Sequence, residues 1–169
     1  VADERIDPEL SGGERSMLDA WLDYHRGTLA LKCDDLSPEQ LRSRSIPTTT
    51  LTLLGLVRHM AKVERHWFRK ILEGEDVPRL FSTEQDRDAD FNDLTSHEPE
   101  EVFEIWRDEI ARAREICRTR SLDDLSANVD RRGEKFNLRW IITHMIEEYA
   151  RHNGHADLIR EAIDGVTGD

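Results

Sequence analysis

Glu148 and His152 are the residues of this chain best placed to do chemistry. They stand four apart in the stretch NLRWIITHMIEEYARHNGHADLIREAID, numbered 137 to 164. Apolar residues recur there at 138, 141, 142, 145, 146, 149, 156, 159 and 163, the spacing of one helical face. A carboxylate and an imidazole four apart on a helix project from the same side. Held that way they can share one metal ion. His152 falls near the middle of the apolar face, where an acid and an imidazole are costly to bury without a cation or another partner. His144 and His155 lie toward the edge of that face, a position that suits support of a ligand or plain exposure.

A metal site in a helical protein needs a third ligand from another element. Residues 14 to 32 read as a first helix, with His25 following Leu18 and Trp21 at helical spacing and its ring expected to face inward. Ser37-Pro38-Glu39-Gln40 is a helix start with a capping box, and the short helix it opens stops before Pro47. A second long helix is expected over 51 to 73, ended by Gly74. It is apolar over more than half its circumference, so it packs on several neighbours or on another subunit. It offers His59 at one edge of its apolar sector. Glu64 lies closer to the sector's centre, an inward acid best matched by an arginine of another helix or, in a hydrolytic site, by a water to activate. His66 and His97 read as ordinary surface or satisfied residues. Residues 75 to 99 read as a long acidic crossover loop, of the kind that is often functional. A third helix spans 99 to 118, and Ser121 to Leu125 read as one more helical turn. Arg131 to Lys135 form a turn between two short extended pieces, and Asn137 caps the last helix. The expectation is an all-α, single-domain four-helix bundle over residues 1 to 169, with one long crossover loop and no convincing strand.

Composition narrows the partners. The chain has 169 residues, 24 Lys plus Arg against 36 Asp plus Glu, and a net charge of −12. No basic stripe overcomes that acidity, which argues against nucleic acid and against anionic membranes. No run of about 18 apolar residues spans a bilayer. The opening VADERIDPEL is acidic and lacks the form of a signal peptide. Cys33 and Cys117 have no metal-type spacing and are expected as reduced core thiols in a cytoplasmic protein.

Two segments carry a family resemblance. LTLLGLVRHMAKVERHWFRK and WIITHMIEEYARHNGHADLIRE resemble the signature segments of the DinB superfamily of metal-binding four-helix bundles, in its actinobacterial uncharacterised branch. The resemblance implies one ligand from the second helix and two, four apart, from the last helix, just before a His-x-Gly-Gln-like element. His59 matches the first, and Glu148 and His152 match the pair. His152-Asn153-Gly154-His155 matches the element, with His155 where Gln is commoner. The glutamate in the middle position is similar to the His-Glu-His zinc site of the mycothiol-dependent maleylpyruvate isomerases. Three ligands with a vacant position describe a catalytic site. Two imidazoles and a carboxylate suit Zn²⁺ and would also take Ni²⁺ or Fe²⁺. The resemblance thus implies a thiol S-transferase or isomerase-like enzyme, with mycothiol or a similar thiol as cosubstrate and a small electrophile. Arg151 and His25 are candidates to touch thiol or substrate. A metal-dependent hydrolase and a non-enzymatic stress or binding protein are the alternative readings. A homodimer is expected under all three.

Overall fold

The computed structural model describes residues 5–167. The outermost residues of the acidic lead-in and of the C-terminal tail lie outside that range. The chain is mainly helical. Its helices are α1 (Glu14–Cys33), α2 (Pro38–Leu41), α3 (Leu53–Glu64), α4 (Ala89–Asn92), α5 (Pro99–Arg118) and α6 (Leu138–Asp164), and two strands, β1 (Leu125–Val129) and β2 (Lys135–Asn137), precede α6.

Local chemistry sets the helix ends. The Thr52 side chain accepts from Gly55 N at the start of α3 and Asn137 Oδ1 accepts from Trp140 N at the start of α6, each satisfying a donor the helix cannot. The Ser37–Gln40 capping box is present in both directions. Gly165, at φ 77°, closes α6 in the left-handed conformation that glycine adopts at least cost.

The second long helix is not one α-helix. α3 passes into a π-helical segment, Arg65–Leu72, whose wider turn is seen in the Glu73 N→Phe68 O bond of 3.1 Å. The segment brings Arg65 and Arg69 onto one buried carboxylate, Glu109 of α5. It ends at Gly74, at φ 77°, where a Cβ would stand 2.8 Å from Ala127 Cβ in β1.

The apolar face of α3 is used up inside the chain. Leu53, Leu54, Leu56, Val57 and Met60 are fully buried, and α3 packs against α5, α4, α6 and α1 while α1 lies along α6. The multi-neighbour packing expected of this helix is therefore intramolecular, and its width gives no separate argument for a second subunit. Among the described residues no helix is long and apolar enough to cross a membrane.

Two local expectations need correction. Ser121–Leu125 is a turn leading into β1 rather than a helical turn. β1 and β2 pair antiparallel, with Leu125 opposite Asn137 and Val129 opposite Lys135, so the fold is not purely α. Only Ser126 of β1 is buried, and it spends its hydroxyl on Asn128 O and Phe136 N. A strand that buries a serine and exposes its apolar residues shows none of the alternation by which strands are read. The crossover is also partly helical, and that short piece, α4, matters for the site.

Candidate metal centre

α3 and α6 bring His59, Glu148 and His152 together. One ligand atom from each lies within 4.8 Å of the other two. The His59 and His152 rings meet edge to face with centroids 4.7 Å apart, and His152 Nε2 is 3.5 Å from Glu148 Oε2. All three side chains are mostly shielded from solvent, at 17%, 17% and 11% exposure. Ligands that face a common point while keeping a solvent path describe an open site rather than a closed structural one.

Asp90 of α4 stands behind His59. Its Oδ2 accepts from His59 Nδ1 at 2.8 Å and from Lys62 Nζ at 2.5 Å. The carboxylate is fully buried, and its Oδ1 has no partner among the described residues. Burial pushes the Asp90 carboxyl up, but the bonds from His59 and Lys62 outweigh it and hold it below the ordinary range. With Nδ1 engaged as donor, His59 keeps Nε2 free as an acceptor of a cation. Phe91 stacks on the His59 imidazole, with ring centroids 4.8 Å apart and planes tilted by 25°, which restrains the ring.

His152 is supported in turn by His155, whose Nδ1 lies 3.3 Å from His152 Nδ1. Burial, followed by the neighbouring His59 and His155, pushes the His152 imidazole down to about 3. It is therefore neutral at physiological pH, the form a metal requires. Glu148 is shared. Its Oε2 faces His152, and its Oε1 is 3.5 Å from His144 Nε2. His144, Glu147 and Glu148 form a second, more exposed group of donors. His144 itself is packed in an aromatic cluster, stacked on Trp140 and edge-on to Trp67. The set of two imidazoles and a carboxylate, one imidazole backed by a buried acid, fits a divalent cation.

The other candidates sit apart from the three donors. His25 is half-buried on α1, where Asn153 Nδ2 donates to its carbonyl at 3.0 Å and lies 3.4 Å from its Nδ1. It thus touches the element just beyond His152, and burial lowers its pKa. Arg151 is exposed and paired with Glu147. Glu64 is fully buried and bound by both arms of Arg26, Nε to Oε1 and Nη2 to Oε2, each at 2.8 Å. Tyr149 also donates to Oε1 at 2.7 Å. The inward acid has its arginine, and a carboxylate so engaged is not available as a base. Cys33 and Cys117 are free and buried, and burial pushes both thiols up to about 12. Neither is a nucleophile at neutral pH.

Asp90 is the functional residue that sequence reasoning missed. The only pointer was the length of the crossover, since nothing singles out one acid in EQDRDADFND.

A family model described as mycothiol-S-transferase matches residues 17–165, which takes in most of α1, both signature segments and every residue of the site. No curated protein matches the sequence.

Proposed function

The chain belongs to the mycothiol-S-transferase family, a branch of the DinB-like superfamily, and from that we propose that it is a metal-dependent enzyme which transfers the sulfur of mycothiol to a small electrophile. The observation that carries this reading is the meeting of His59, Glu148 and His152 within 4.8 Å, with Asp90 behind the first. We read α1, α3 with its π-helical extension, α5 and α6 as the DinB-like four-helix bundle, in a single domain, that such a site is built on. Zn²⁺ suits the donors best, and Ni²⁺ or Fe²⁺ would also be accepted.

The residues divide the work. His59, Glu148 and His152 would hold the cation, whose chemistry when bound is to favour the thiolate of an entering thiol at neutral pH. Asp90 keeps the proton on His59 Nδ1 and so presents Nε2. His155 holds the His152 ring. The buried cysteines leave the nucleophile to the cosubstrate. In the transfer, the thiol gives its proton to solvent, its sulfur pair forms the new S–C bond to the electrophile while the C–S bond within mycothiol stays intact, and the displaced group leaves with the old bonding pair. The assay is bromobimane with mycothiol in metal-loaded protein, read as fluorescence. A rate dependent on thiol, metal and enzyme is expected. No rate above the uncatalysed reaction would remove the proposal.

Asp90→Asn tests the orientation of His59. An outer partner of a ligating histidine typically accounts for 10–100-fold in metal affinity, and a loss of about that size is expected on titration against a chromophoric chelator. Unchanged affinity would mean that Asp90 does not set the ligand.

A further inference from the structure

A groove of about 490 Å³, lined in part by Lys62 three residues after His59, has cationic walls. It is lined by Lys62, Arg65, Lys70, Arg79, Arg87 and Arg131, and no aspartate or glutamate lines it. The whole chain has 24 lysines and arginines and a net charge of −12. A quarter of its cations thus converge on one concavity from which acids are excluded, against the sign of the molecule.

Half of those charges are not spent on a carboxylate among the described residues. Lys62 is paired with Asp90 and Arg65 with Glu109. Arg79 reaches only to 4.0 Å from Glu84. Among the described residues, no carboxylate is paired with Lys70, Arg87 or Arg131. These three come from separate segments: Lys70 from the π-helical segment, Arg87 from the crossover just before α4, and Arg131 from the turn between β1 and β2. Gathering like charges in a concave site is unfavourable by itself and is relieved by an anion. The rest of the lining is partly apolar, with Val63, Val77, Pro78 and Leu80.

The groove and the proposed centre are linked through Lys62, which lines the groove and is paired with Asp90, the partner of His59. His59 and Lys62 stand three apart on α3 and share Asp90 Oδ2, and His66 and Lys70 of the π-helical segment line the groove with Lys62. We propose that this groove binds the electrophile of the transfer reaction, and that the electrophile is a small organic anion, with a carboxylate or phosphate held by Lys70, Arg87 and Arg131 and an apolar body against the valine and proline wall. The volume is that of a small-molecule site, and the acidic remainder of the surface repels extended polyanions. This assignment rests on the thiol-transfer reading for the word electrophile, but not for the anion.

Calorimetric titration of the full chain with inorganic phosphate and with succinate, at low salt, tests the anion independently of any activity. Saturable binding of at least one is expected, weakened roughly tenfold or more in a Lys70→Ala/Arg87→Ala variant. Tighter phosphate assigns a phosphate end, and tighter succinate a carboxylate end. Both side chains are exposed, so circular dichroism of the variant should match wild type. Binding of neither anion, or equal binding by the variant, overturns the proposal. In the transfer assay, a carboxylate-bearing bimane electrophile should show a higher kcat/KM than its neutral counterpart, and the variant should erase the difference. No preference in an active enzyme overturns the assignment to the electrophile. Absence of transfer with any electrophile sinks the thiol-transfer reading while the titrations still decide the groove.

Discussion

Glu64→Ala is expected to destabilise the protein by about 3–5 kcal/mol, the loss typical when one partner of a buried ion pair is removed. For a chain of this size that is a fall on the order of 10 °C in the unfolding midpoint. Glu64 is the centre of a buried network with one member from each long helix. Arg26 of α1 holds both its oxygens, Tyr149 of α6 donates to Oε1, and Trp106 Nε1 of α5 donates to Tyr149 Oη at 2.9 Å. Burial by itself would lower the Arg26 pKa, and the Glu64 charge more than reverses that. Without Glu64 the guanidinium is left in the core with only Asp23 beside it. Two further variants separate the charge from the packing. Tyr149→Phe removes one hydrogen bond and should cost about 1 kcal/mol. Arg26→Met/Glu64→Leu removes both charges together and should recover most of the stability lost in the single variant. Chemical denaturation gives all three values. A Glu64→Ala protein within about 1 kcal/mol of wild type, inside the usual range of surface substitutions and small core changes, would mean the network does not brace the helices.

His152→Ala is expected to reduce metal affinity by more than about 100-fold, beyond the range of an outer partner, because it removes a donor atom and not merely its orientation. His59→Ala should behave alike. Metal content after purification and competition with a chelator measure both. His144→Ala is the informative comparison, because His144, Glu147 and Glu148 form a neighbouring group of donors that shares Glu148. If His144→Ala strips the ion and His152→Ala keeps it, the metal belongs to the outer group and the proposed centre is wrong. The Glu64 network ties α3 to α1 and α6 without using the three donors, so loss of metal without loss of helix is the expected signature for the ligand variants. Circular dichroism at a temperature below the unfolding transition checks that separation.

Much of this site was legible in the sequence because it is local. Glu148 and His152 are neighbours through helix geometry alone, and the apolar positions around them fix which way they face. The caps at Ser37 and Asn137 are likewise written in a few adjacent residues, whereas Thr52, which caps α3, fell inside the helix expected over 51 to 73. His59 was brought in by the resemblance of its segment, since its place at the edge of an apolar sector did not single it out. The inward position of Glu64 was visible as a wheel position, but its partner was not: Arg26 lies 38 residues away, and several arginines were equally eligible.

What the tertiary structure decided are the contacts between segments that no local period relates. Asp90 became the support of His59 only because the crossover folds α4 against α3. The cationic groove exists only because the π-helical segment, the crossover and the β-turn meet. The turn and its two extended pieces were legible, but their pairing as a sheet was not, because its one buried residue is a serine. Periodicity reports which face of an element turns inward, and it carries that information within a few residues. It does not report which other element lies on that face, or in what register, because that is fixed by packing over the whole chain. The sequence thus determined the helices and two donors on one of them, and the packing determined what stands behind the third donor and which cations gather in the groove.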